Sequence, residues 1–401
     1  MSFTSTYSSL SDRGWQSGDA QQIYSLIQTQ FGPPNNRAYF GEFVAISDYN
    51  ISNRNLSLSG GFASTSFPNG FVRGSFSATA FGGIRQTFTG SNGSTVFGTH
   101  CAMSADAKYA AVSGNGNVGS SGNLNIYSSD INYDFSLQYN NAPVTGSYRN
   151  MGLAMNDAGT AVTIGVSGAN SVDVYGRTGN TWSLSTSLTP NVGNIPQVGF
   201  GLAISYGDAN TLIVGAPGGV STSGTAFIYV NNSQVARIFP SISSADDAFG
   251  TDVAMSADAN YLVVGSRNTG TTGAAFVYAN TANTWTELAM LTPTSTAVIN
   301  DNFGQQVAIS NGGNTVVVGD PFADHPTTGQ QQGTVYVFTK TGNSYIQTQE
   351  ILNVTGNTLR DSNFGAAIAM TNDGTRMIVG DLYANTGLEE TGAVYLYQSF
   401  F

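Results

Sequence analysis

Charge is what this sequence has least of. Of 401 residues, only 9% are Asp, Glu, Lys or Arg, against roughly 25% in an ordinary globular chain. Lysine is confined to Lys108 and Lys340, and the net charge is −11. Phosphate binding needs clustered Lys and Arg, so a nucleic-acid interface is excluded and an anionic membrane surface is disfavoured. Cys101 is the single cysteine, which excludes an internal disulfide. The two histidines, His100 and His325, are too few for a zinc site of converging Cys, His and acidic ligands. They also leave little from which to build a hydrolase triad. No apolar run approaches the roughly 20 residues of a membrane span. The opening MSFTSTYSSLSDRGWQSGDA has neither the basic nor the apolar segment of a secretory leader. The expectation is a soluble chain with no Sec signal peptide and no membrane insertion.

Glycine, by contrast, is abundant at 49 residues, and aromatics reach 11%. The glycines recur in a pattern. Phe249 to Gly265 reads FGTDVAMSADANYLVVG. Phe303 to Gly319 reads FGQQVAISNGGNTVVVG, and Phe364 to Gly380 reads FGAAIAMTNDGTRMIVG. Phe97 opens FGTHCAMSADAKYAAVSG, Val198 opens VGFGLAISYGDANTLIVG with Val-Gly in place of Phe-Gly, and Arg149-Asn150 replaces the pair before MGLAMNDAGTAVTIG. Phe40 opens FGEFVAISDYN and carries an insertion before LSLSGG. Seven copies therefore start near 40, 97, 149, 198, 249, 303 and 364.

Two further blocks follow inside each unit. One is a short alternating segment, such as Val335-Tyr-Val-Phe338 or Val394-Tyr-Leu-Tyr397. The other opens on an aromatic: Trp182 before LSTSLTP, Trp285 before TELAMLTP, Tyr345 before IQTQEIL. Period-2 alternation broken by Gly, Asn and Asp reads as strands. Four strands in a unit of roughly 50 residues is the signature of a propeller blade. The fold class is therefore all-β, a seven-bladed propeller of four-stranded blades. The last unit runs out of chain before its fourth strand, while the N-terminal IYSLIQTQ resembles a fourth strand. That strand is expected to complete the last blade and close the ring, which removes a free sheet edge. The propeller then spans 21–401, and 1–20 is an N-terminal arm.

The pattern FGxxVAxS, turn, VVG-A-P, GxVYVY resembles the FG-GAP repeat, which builds the seven-bladed propeller of integrin alpha chains and of many bacterial and viral surface proteins. Gly215-Ala216-Pro217 is the one literal GAP. In integrin-like members the first hairpin carries a calcium loop with several acids, because calcium takes six to eight oxygen ligands. Here Asp106, Asp157, Asp208, Asp258 and Asp373 each stand alone, and Asn311-Gly312-Gly313-Asn314 has no acid. The resemblance is thus to a short, calcium-free variant. Asp258 reads as a turn residue.

Catalysis finds little support. Cys101 aligns with the apolar Val253, Val307, Ile368, Leu153 and Leu202, so it reads as a small buried hydrophobe. Neighbouring His100 would point to the opposite face of the strand. No cofactor fingerprint occurs. The expectation is a non-catalytic chain with no cofactor and no metal. One acidic cluster stands out on the loops after the second strand: Asp320, Asp324, His325, Asp381, Glu389 and Glu390. It is weighed as a rim site for a cation or a basic partner against an ordinary solvated rim. The functional expectation is a structural or attachment protein on an extracellular surface, foremost a virion surface. Its partners would be other structural proteins of the assembly, a host receptor or a glycan. A cell-surface adhesin or lectin-like module is the alternative, and a polysaccharide-acting enzyme the more remote one.

Overall fold

The structure is a computed structural model. It describes residues 23–31, 42–48, 55–61, 71–77, 81–89, 95–116, 122–130, 132–141, 151–166, 169–191, 199–208, 210–218, 223–294, 302–326, 329–353, 362–384 and 391–400. Among these, the strands form seven four-stranded antiparallel sheets. Blade five is representative, with strands Phe249–Met255, Tyr261–Ser266, Ala274–Thr281 and Thr284–Leu291 in sequence order from the axis outward. Blade one is also complete, and its poorly matching third segment is the strand Phe71–Ser77. The alternation that defines the strands also buries them. The second and third strands are buried along nearly their whole length, while the outer strand alternates.

The ring closes as the sequence implies. Ile23–Phe31 pairs with Ala393–Phe400 and becomes the fourth strand of blade seven. The side chain of Gln349, on the outer strand of blade six, fixes it further: Gln349 Nε2 donates to the Tyr24 carbonyl and Gln349 Oε1 accepts from the Tyr24 amide, each at 2.8 Å.

Adjacent blades meet through seven apolar clusters, each drawing residues from two neighbours. Ile213, Ala226 and Ile228 of blade four pack with Phe249, Leu262 and Phe276 of blade five. Phe71 of blade one packs with Ile378, Val394 and Leu396 of blade seven, so the last seam is sealed by side chains too. In blades five and seven the Phe of the Phe-Gly pair sits edge-on against aromatics of its own third strand. Phe249 lies 5.6 Å from Phe276 and 6.4 Å from Tyr278, and Phe364 lies 5.2 Å from Tyr395. Edge-to-face pairs of this kind add to the area they bury.

The glycines set how closely blades approach. A Cβ on Gly265, at the end of the second strand of blade five, would lie 2.0 Å from the carbonyl oxygen of Gly304 in blade six. The same clash recurs for Gly165 with Gly201 O at 2.3 Å, Gly215 with Gly250 O at 2.3 Å, and Gly319 with Gly365 O at 2.4 Å. Gly304 itself has φ +91°, a left-handed conformation that favours glycine. A backbone bond completes the seam, from the Phe303 amide to the Thr272 carbonyl at 2.9 Å.

Blade four corrects one reading. Phe200-Gly201, and not Val198-Gly199, holds the Phe-Gly position. Phe200 packs edge-on to Phe227 at 5.5 Å. The Gly201 amide bonds the Gly215 carbonyl at 3.0 Å, as Gly304 bonds Gly319 at 3.1 Å. Ile204, not Leu202, therefore pairs with Val214 as Val253 pairs with Val264, and Leu202 is 39% exposed. The first hairpin of this blade is a residue shorter, which shifted the apparent register.

Replacing Gly265 by Ala should destabilise the chain by about 2–4 kcal/mol, because the clash is with backbone that cannot move aside cheaply. Gly176→Ala, whose Cβ would meet only Ser185 Cβ at 3.6 Å, is the neutral control. Denaturant melts of the two variants check this. Equal midpoints would refute it.

Candidate functional site

The first hairpin turns of the blades converge at one end of the axis. In blade five, Ser256 Oγ donates to Asp258 Oδ1 at 2.5 Å, and the Asn260 amide donates to the same oxygen at 3.2 Å. The Tyr261 amide in turn donates to Ser256 Oγ at 3.0 Å. Ala259 completes the turn at φ 53°. Blade two repeats this with Ser104, Asp106 and Ala107, and blade seven with Thr371, Asp373 and Gly374. Desolvation opposes ionisation of Asp258, yet the bonds from Ser256 and Asn260 prevail and hold its carboxyl below the usual range. Asp258 is a turn residue, and its Oδ1 is committed to the turn.

Asp157 behaves differently, because it occupies the turn position before that of Asp258. Asn372 Nδ2 of blade seven donates to Asp157 Oδ2 of blade three at 2.8 Å. Those blades are not neighbours in the ring, so this bond must cross the end of the central channel. The Asn372 amide also donates to Asp48 of blade one, and the Asn372 carbonyl accepts from the Asn311 amide of blade six at 2.8 Å. Polar side chains thus clasp this end of the axis. Sequence reasoning missed the clasp. The only signal was the recurrence of Asp48, Asp157, Asn311 and Asn372 at one turn position where blades two and five carry Ala105 and Ala257.

Acids along the channel hold protons unusually well. Burial pushes Asp48 up to about 7, and nearby Asp157 and Asp373 add to the effect. Burial pushes Asp252 up to about 7, although it accepts from the Val307 amide of the next blade at 2.8 Å. Glu42, with one oxygen buried and unpartnered, rises to about 8 by burial. His100 is depressed to about 4 by the same cause, and the thiol of the partly buried Cys101 is pushed well up. A neutral imidazole beside a protonated thiol makes no activated nucleophile.

The acids singled out on the loops differ in their surroundings. Asp320 and Asp381 end the second strands of blades six and seven, and both are fully buried rather than solvated on a rim. Asp381 accepts from Ser362 Oγ, from Asn353 Nδ2 at 2.9 Å and from the Asn363 amide at 3.1 Å. It therefore brackets the segment that leads from blade six into blade seven. Burial nevertheless raises its pKa. Asp324 and His325 lie partly buried in the next loop, which folds back so that the His325 amide bonds the Gln330 carbonyl at 2.8 Å. Glu389, Glu390 and the arm 1–20 lie outside the described residues. Among the described residues, no group of three or more His, Cys, Asp or Glu is placed to hold a metal ion, and no helix is long and apolar enough to cross a membrane.

Two outcomes follow. Glu42, Asp48 and Asp252 bind protons more tightly folded than unfolded, so stability falls as pH rises from about 4 towards 8. The depressed Asp106, Asp258 and Asp373 oppose this only below about pH 4, and the depressed His100 opposes it between about 4 and 6.5 without outweighing the three acids. Tm should be higher at pH 5 than at pH 8, and Asp252→Asn should narrow that gap. A Tm that rises over this range would refute the assignment. Secondly, a calcium chelator should leave Tm unchanged, because the turn carboxylates are already satisfied by their own turns. A fall of several degrees on chelation would contradict this.

Comparison with known proteins agrees with this architecture. The family model for the FG-GAP repeat matches residues 232–278 and 285–338. No curated protein matches the chain. Among solved structures, the chain is similar to the Cps50 (Swd1) β-propeller domain of Myceliophteria thermophila, at 11% identity and TM-score 0.55, over 89% of this chain and 96% of that one. It is also similar to U3-55K, at 11% identity and TM-score 0.59, over 92% and 98%. A third is the hydrazine synthase of Kuenenia stuttgartiensis, at 12% identity and TM-score 0.56, over 96% and 99%. At such identities the likeness shows the fold alone. The chain is a seven-bladed β-propeller, and two of its segments, 232–278 and 285–338, match the FG-GAP repeat.

Proposed function

We propose that the protein is a non-catalytic structural or attachment protein, a rigid ring that presents its loops to other proteins of an extracellular assembly, foremost a virion. FG-GAP propellers as a class suggest protein-binding or adhesion modules at cell and particle surfaces. The observation that carries the reading is the use made of reactive groups. Cys101 and His100 are held unreactive beside the core, and Asp381 is enclosed in a bracket of hydrogen bonds. What differs between blades lies in the connections, such as Pro321 to Gly333 in blade six against Arg267 to Gly273 in blade five. A stable scaffold with variable connections is the arrangement by which loops carry binding. Low charge and scarce lysine suit a surface that avoids non-specific contact with polyanions.

The arm 1–20 is the proposed anchor. Purified particles should contain the chain in fixed stoichiometry, and deletion of residues 1–20 should release it while the free chain still melts as a folded propeller. Recovery of the chain only as a free monomer, never with a particle, would refute the reading.

A further inference from the structure

Five blades place an aromatic ring at the start of their fourth strand: Phe135, Trp182, Trp285, Tyr345 and, from the N-terminal strand, Tyr24. They stand opposite Ser129, Arg177, Asn280, Lys340 and Ser399. Each ring packs into the seam with the preceding blade. At two seams that blade adds a second ring from the head of its second strand. Tyr109 meets Trp182 edge-on at 6.0 Å, and Tyr261 packs near Tyr345. A cation covers each of these tyrosines, Arg177 at 4.3 Å and Lys340 at 3.8 Å from the ring centroids.

The seam between blades three and four has neither ring. The third strand of blade four ends at Val230, and Asn231-Asn232, at φ 50° and 63°, turn the chain at once into Ser233. The Asn231 amide bonds the Asn210 carbonyl at 3.0 Å, as Arg177 bonds Thr160 at 2.9 Å and Lys340 bonds Asn314 at 2.9 Å. The hairpin therefore turns one step before the ring. Blade three contributes Ala161 where blades two and five carry Tyr109 and Tyr261. On the third strand, Gly176 follows Tyr175 where Val230 follows Tyr229. What remains is an open cavity of about 270 Å³. Tyr206 lines it, its hydroxyl pinned to Thr163 Oγ1 at 2.5 Å. The buried Val174 and Leu212 and the partly exposed Ala161 also line it, and Asn210, Asn231, Asn232 and Ser185 add amides and a hydroxyl.

We propose that this cavity binds one ring of a neutral saccharide. Its size, near the lower end of the roughly 300–1,000 Å³ of small-molecule sites, admits a single ring in the space that aromatic side chains fill elsewhere. No lining residue is charged, so nothing in the site rewards a phosphate or carboxylate. Side-chain amides and hydroxyls offer donors and acceptors together, which is what a ring of hydroxyls needs. A purely apolar ring would leave those groups facing it without partners. Ala161 and the ring of Tyr206, both partly exposed, supply the apolar surface for the C–H face of a sugar. The inference does not rest on the attachment reading, because the cavity lies at the hairpin-turn end of the blades, opposite the loops that follow the second strands.

The test is saturation-transfer NMR and calorimetry on the full chain with glucose, galactose, mannose and N-acetylglucosamine. Each is used at about 10 mM, enough to see millimolar binding, with glucuronate and sialic acid as charged comparisons. At least one neutral sugar should bind and the charged ones should not. Ala161→Tyr, which restores the ring that blades two and five carry, should keep the wild-type Tm and weaken binding at least about tenfold. Should that variant fail to fold, Gly176→Val, the residue type of blade four at the same position, should give the same loss. Failure of all four neutral sugars to bind overturns the proposal. So does a preference for the charged sugars, or unchanged binding in whichever filled variant folds.

Discussion

The approach of one glycine to the carbonyl of another, across four successive blade seams, is the constraint on which this ring depends. Gly265 lies so close to the Gly304 carbonyl that a single methyl group would overlap it. The same approach at Gly165, Gly215 and Gly319 fixes the spacing of blades three to seven. Once the spacing is fixed, the Phe of the Phe-Gly pair in blades five, six and seven meets the aromatics of its third strand, and the seam clusters close. A repeat cannot bury its own faces alone; only its neighbours complete its core. Closure by Ile23–Phe31 then extends this logic to the last blade, whose third strand would otherwise expose an unpaired outer edge.

The few charged and polar groups serve the same architecture. Turn aspartates such as Asp258 hold the hairpins. Asn372 joins blades one, three and six across the axis, and Asp381 brackets the passage into the last blade. A chain this poor in charge has little electrostatic surface with which to recognise a partner. Recognition then falls to loops and to neutral polar groups, which is where both proposals place it.

Much of this was legible in sequence, because a repeated constraint leaves a repeated residue. The glycine closing the second strand recurs because a Cβ there would overlap the neighbouring blade's carbonyl. The missing fourth strand of the last unit pointed to the N-terminus because edges must be paired. Blade four was misread for a physical reason. Its first turn is shorter, so Val198-Gly199 imitated the pattern two residues ahead of the true Phe200-Gly201 pair. Asp320 and Asp381 looked like rim acids because linear order does not show that the end of a second strand lies under the following loop. The axial clasp was hidden because Asp48, Asp157 and Asn372 are distant in sequence and meet only when the ring closes. The cavity between blades three and four was visible only as an absence, a unit without an aromatic at the head of its fourth strand.

The central claim, that the N-terminal strand closes a seven-bladed ring, is tested most directly by native-state hydrogen exchange resolved by residue. The hydrogen-bonded amides of Ile23–Phe31 should be protected to the same degree as those of Ala393–Phe400, and should open together with them. Fast exchange along Ile23–Phe31, with protection retained in the rest of blade seven, would contradict it.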